Sequence, residues 1–146
     1  MGLLLPYRQK PENPAKILDR CAIASEEHLW FSVVTHEVIH LKTLGLAPQD
    51  YFKGYLWLEN QIKRLPKAEQ EENELRTMAA ELHLFRPLGV TTDEDKYLHA
   101  WERVFKIPGL RDTVIRLSTE PRTTQDANDA IQFALECQAI LQRKAA

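Results

Sequence analysis

Between Leu29 and Leu44 the chain places Leu29, Trp30, Phe31, Val33, Val34, Val38, Ile39, Leu41 and Leu44 on nearly every side of a helix. A helix that is apolar all round does not lie on a surface; other elements must wrap it. Inside this run stands His36-Glu37-Val38-Ile39-His40, an H-E-x-x-H string. On a helix, His36 and His40 share one face a turn apart, so both imidazoles can reach one metal ion. Glu37 sits beside that face, where a carboxylate can take a proton from an attacking water. Two histidines and a glutamate in a buried helix must find partners, because an unpaired buried carboxylate is costly. A metal satisfies all three. A set of hydrogen bonds does so as well, with His36 and His40 as core histidines and Glu37 in an ion pair.

Proline and glycine divide the rest of the chain into helices. Residues 1–12 read as irregular, interrupted by Pro6 and Pro11, and Asn13-Pro14 opens a short helix to about Ala22. Ser25 caps the apolar helix and Gly45 ends it. A third helix is expected from Gln49 to about Leu65, and a fourth from Pro66 to about Phe85, where Arg86-Pro87-Leu88-Gly89 breaks it. Thr92 is expected to cap a fifth helix ending before Pro108-Gly109, and a sixth spans roughly Leu110 to Leu117. Glu120-Pro121-Arg122 reads as a linker, followed by a last helix capped by Thr123 or Thr124. Strand signals are confined to Gly2–Leu5 and Asp19–Ala24. The expected fold is mainly α: one domain over residues 1–146, a bundle of six or seven helices with at most a small vestigial sheet.

Composition narrows the function. A net charge of -2 over 146 residues leaves no footprint for nucleic acid or anionic membrane. No apolar run approaches membrane-spanning length. The opening Met1-Gly2-Leu3-Leu4-Leu5-Pro6 is too short for a signal sequence, and Pro6 and Tyr7 occupy the place of a myristoylation hydroxyl. Cys21 and Cys137 form no C-x-x-C pair and no disulfide framework. A reduced, cytoplasmic protein is expected, with a protein or peptide as its partner.

Zinc in a catalytic site takes three protein ligands. The candidates for the third lie in the fourth helix: Glu72, Glu74, Glu81 and His83. The stretch Glu72-Asn73-Glu74-Leu75-Arg76-Thr77-Met78-Ala79-Ala80-Glu81-Leu82 resembles the second motif helix of the ImmA/IrrE family of small zinc metallopeptidases. That helix reads approximately E-x-E-A-N-x-F-A-A-E-L-L-x-P. Ala79-Ala80-Glu81-Leu82 matches, Met78 takes the aromatic place and Pro87 follows, while Leu75 and Arg76 replace the family's Ala and Asn. Ser25-Glu26-Glu27-His28-Leu29-Trp30-Phe31 is similar to the family's lead-in, so the resemblance covers residues 25–87. It implies that His36 and His40 bind zinc, that Glu37 is the general base, and that Glu72 is the third ligand with Glu74 as the alternative. Such peptidases carry a small sheet ahead of the active helix; the proline-broken residues before Ser25 leave little room for one.

Other groups read more plainly. Glu37-x-x-His40 is also half of a carboxylate di-metal motif, but no second E-x-x-H spacing follows. His28, His83 and His99 are isolated, and the five glycines are too scattered to form a phosphate loop. The last helix suits docking on the domain or a homo-oligomer contact. The function expected is a zinc metallopeptidase-like hydrolase. The alternative is a metal-free helical interaction module, a small subunit or adaptor of a larger assembly.

Overall fold

The computed structural model describes residues 14–145, and over them the chain is helical throughout, with no sheet. The order is α1 (Pro14–Cys21), α2 (Glu26–Thr43), a 3-10 helix (Pro48–Lys53), α3 (Tyr55–Lys63), α4 (Lys67–Leu88), α5 (Glu94–Val104), α6 (Leu110–Leu117) and α7 (Pro121–Ala145). The mainly α class is as expected. Residues 1–12 and the strand signal at Gly2–Leu5 lie outside the described residues. Of the other strand signal, Asp19–Cys21 is the end of α1, and only Ile23 makes a single antiparallel bridge, to Thr91.

Two helices form the spine. α2 is apolar on both flanks, as its composition requires, and serves two clusters at once. Val34, Val38, Ile39 and Leu41 pack with Tyr51, Leu58, Ala130, Phe133 and Cys137. Leu29 joins Met78, Ala79, Leu82, Phe85, Tyr97 and Leu98 in the second. α4 divides likewise: Ala80 belongs to the first cluster, while Met78, Ala79, Leu82 and Phe85 belong to the second. α2 and α4 run antiparallel, since residue 36 meets residue 81 and residue 40 meets residue 73. The polar site lies on their shared face, between the two apolar clusters.

Element ends follow local chemistry, in places against expectation. Ser25 caps α2, its side chain accepting from the His28 N–H at 3.2 Å. The third helix does not run unbroken from Gln49 to Leu65. Gly54 adopts φ 97°, ψ 168° and separates the 3-10 helix from α3. Tyr51 is thereby core, 1 % exposed, while Leu56 turns outward at 73 %. α4 passes through Pro87, which forgoes one backbone hydrogen bond in its last turn, and ends at Gly89 in the left-handed region. Val90 N–H then returns to the Phe85 carbonyl at 3.2 Å, closing the helix end. Asp93, not Thr92, caps α5 through Lys96 N–H at 3.2 Å. Pro121 is no linker residue: it opens α7, where a missing N–H and a fixed φ are both favourable.

Candidate metal centre

α2 and α4 bring His36, Glu37, His40, Glu74 and Glu81 to one cleft and leave Glu72 and His83 out of its lining. His36, His40 and Glu74 place ligand atoms within 4.8 Å of one another. The Nε2 atoms of the two histidines face each other at 3.0 Å, and Glu74 Oε2 is 3.3 Å from His40 Nε2. Metal–ligand bonds of 2.0–2.1 Å at tetrahedral angles set donor atoms about 3.3 Å apart. Two of the three edges therefore already have the spacing of a zinc tripod. Glu72 stands elsewhere: it is exposed on the outer side of α4, its nearest cation Arg122 at 4.0 Å. The two acids are two residues apart, about 200° around a helix, so only one of them can face α2.

Each imidazole is held from behind. His36 Nδ1 donates to the Glu81 carboxylate, whose other oxygen accepts from the Tyr97 hydroxyl at 2.6 Å. His40 Nδ1 donates to Asn73 Oδ1 at 2.6 Å. The orientation of that amide is set by its own Nδ2, which donates to Thr43 Oγ1 at 2.8 Å. Thr43 Oγ1 in turn donates to the His40 carbonyl at 3.2 Å. With acceptors fixed at both Nδ1 positions, each ring in its neutral form carries a bare lone pair on Nε2, facing the other ring. Two lone pairs at 3.0 Å repel unless a cation or a proton lies between them. This is the orienting shell that metal-ligating histidines carry: a carboxylate or carbonyl on the far nitrogen fixes the tautomer and raises ligand basicity.

The electrostatics agree. Burial pushes the His36 imidazole down, but the Glu81 carboxylate, by charge and by hydrogen bond, and Glu74 and Glu37 more than offset it, leaving the pKa raised. Glu81 is 1 % exposed, Glu37 4 % and Glu74 9 %, a concentration of carboxylates that favours a bound cation. Trp101 stacks on His36, with ring centroids 5.3 Å apart and planes 13° from parallel, so the ring is fixed from the side too.

The centre opens on a cleft of about 1100 Å³. Glu37 lines it, as do His36, His40 and Glu74. Tyr55 borders it from α3; burial and the charges of Glu59, Glu37 and Glu74 hold its phenol above the ordinary range, so the hydroxyl keeps its proton. Outside the centre, His28 is tied to Ser25 Oγ at 2.6 Å, and His99 lies on the surface 3.7 Å from Glu102.

Asn73, Tyr97 and Trp101 belong to the site without having been singled out in the sequence. One signal for Asn73 is there in retrospect. Asn73, Glu74, Thr77 and Glu81 form a polar stripe at helical spacing, and all four are buried. Tyr97 and Trp101 approach from α5, through packing that no local pattern announces.

No helix among the described residues is long and apolar enough to cross a membrane. No protein family, curated protein or solved structure matches the chain, so the reading of the centre rests on its own geometry.

Proposed function

We propose that the chain is a zinc metallopeptidase-like protein, a hydrolase of the ImmA/IrrE type, in which His36, His40 and Glu74 hold the metal. The observation that carries this reading is the pair of histidine Nε2 atoms at 3.0 Å with the Glu74 carboxylate 3.3 Å away, each imidazole fixed by an acceptor on its Nδ1. The donor set fits zinc: two neutral imidazoles and a carboxylate from two rigid helices, facing an open cleft that leaves a position for water and substrate. Zinc there would lower the pKa of a water and polarise a substrate carbonyl.

The chain's own residues divide the remaining work. Glu37, next to His36 and nearly buried, is placed to take the proton of the attacking water and return it to the leaving amine. Glu81 and Asn73 hold the two imidazoles in the tautomer that leaves Nε2 free. The Tyr55 hydroxyl, kept protonated at the mouth, is a donor for developing negative charge on the substrate oxygen.

The alternative, a metal-free helical interaction module, draws support from the lack of any sheet among the described residues, because peptidases of this type align substrate on a sheet edge. A proton between the two Nε2 atoms would then stand where the metal does. Metal content separates the two readings. Mass spectrometry of untagged wild type beside the His36→Ala/His40→Ala double variant should give stoichiometric zinc in the first and none in the second. A folded wild type without metal would leave the interaction module as the function.

A further inference from the structure

The centre lines a cleft whose walls near the start of α2 differ chemically from those at α3. α2 forms the floor: Leu29, Val33, His36, Glu37 and His40 all line it. At 1.5 Å per residue that stripe runs about 16 Å. Extended backbone advances about 3.3 Å per residue, so the floor matches roughly five residues of an extended chain.

Toward the start of α2 the walls are Leu29 and Val33 with Ile17, Cys21, Trp101 and Phe105. Trp101 stacks on His36 and on Phe105, with centroids 5.3 and 5.5 Å apart, so this recess adjoins the metal centre directly. Apart from the carboxylates of the centre, the charged residues of the cleft are Lys53, Glu59 and Lys63, all at the α3 end. An anionic side chain placed in the recess would lose its hydration and face the Glu81 carboxylate, whereas an apolar one would gain by leaving water. The mouth is apolar as well. Val104 is 62 % exposed on one lip, and Tyr55 and Leu56 are 54 % and 73 % exposed on the other. Strand pairing offers no hold on a substrate here, since the described residues include only the Ile23–Thr91 bridge. Selection has to come from side chains.

Building on the zinc reading, we propose that the recess of Leu29, Val33, Trp101 and Phe105 is a specificity subsite for a large aliphatic or aromatic side chain next to the scissile bond. The substrates are then extended, unfolded segments carrying such a residue, and Val33 controls the size accepted. Val33 lies one turn before Glu37 on the same face of α2, so its side chain borders both the recess and the centre.

Amino-acid hydroxamates test this, because the hydroxamate chelates the metal and delivers its side chain beside it. Affinities of glycine, leucine and aspartate hydroxamates for the zinc-loaded full chain would be measured by calorimetry. Leucine hydroxamate should bind about tenfold or more tightly than the glycine compound, and the aspartate compound no more tightly than glycine. Val33→Trp should abolish the advantage of leucine over glycine hydroxamate, measured as the ratio of the two affinities in zinc-loaded protein. Should that variant fail to fold, Phe105→Ala, which removes a wall, should shift the preference from leucine to the larger phenylalanine hydroxamate. Equal affinity for all three compounds in zinc-loaded wild type would overturn the subsite and leave the metal centre standing. A wild type that takes up neither zinc nor any hydroxamate would overturn the metal reading, and the subsite with it.

Discussion

At Asn73 one amide decides which nitrogen of a neighbour is available. Its Nδ2 is committed to Thr43, so its oxygen must face His40 and Nε2 is left free. Asn73→Leu should therefore weaken zinc binding about 10- to 100-fold, the range for lost orienting partners, in a competition titration against a chelating dye. Glu72→Gln should leave zinc affinity unchanged and Glu74→Gln should lower it severely. His36 adds a pH dependence whose direction follows from its raised pKa. Without metal, the folded chain holds the His36 proton more tightly than the unfolded one. That contribution is fully present below the ordinary value of 6.5 and is lost as pH rises through the raised value. Zinc requires the neutral ring, so its affinity moves the other way. The gap in Tm between zinc-loaded and chelated protein should widen from about pH 5.5 to about pH 8, measured by calorimetry.

Among the elements, Gly54 has the most consequence for the cleft. Its φ of 97° ends the 3-10 helix and aims α3 so that Tyr55 and Leu56 reach the mouth. A Cβ added there would meet no atom within 4 Å, so Gly54→Ala should cost only backbone strain, about 1–3 kcal/mol in a denaturant titration. The Arg76–Asp126 pair, with contacts of 2.9 to 3.2 Å, fastens α4 to α7, and Asp126→Ala should cost about 1.5–3 kcal/mol. These two features also mark what was legible in advance. α2 could be read because a helix apolar on all sides has few alternatives, and α6 because Gly109 and Ser118 bound it closely. Gly54 could not, since one glycine inside a helical pattern costs only about 1 kcal/mol and the apolar period continues past it. The choice between Glu72 and Glu74 was hidden for a related reason. It depends on the rotation of α4 about its axis against α2, to which contacts such as Arg76 with Asp126 contribute and which only the stripe of Asn73, Glu74, Thr77 and Glu81 hints at.

For the molecule as a whole, zinc that binds only the folded chain stabilises it by mass action, about 4 kcal/mol at a thousandfold excess over Kd. Removing the metal should lower Tm in wild type and leave the His36→Ala/His40→Ala variant unmoved. The layout has a further consequence. All three proposed ligands and their orienting partners Glu81 and Asn73 stand on α2 and α4 alone. Other parts of the cleft walls come from α1, α3 and α5, which lie at the periphery of that pair. The proposed metal ligands thus stand on α2 and α4 alone, whereas selection of substrate is shared between Leu29 and Val33 of α2 and the walls from the other helices. Mutational drift in the peripheral helices can retune what the cleft admits without disturbing the pair that does the chemistry, which makes this small scaffold open to diversification by exchange of its walls.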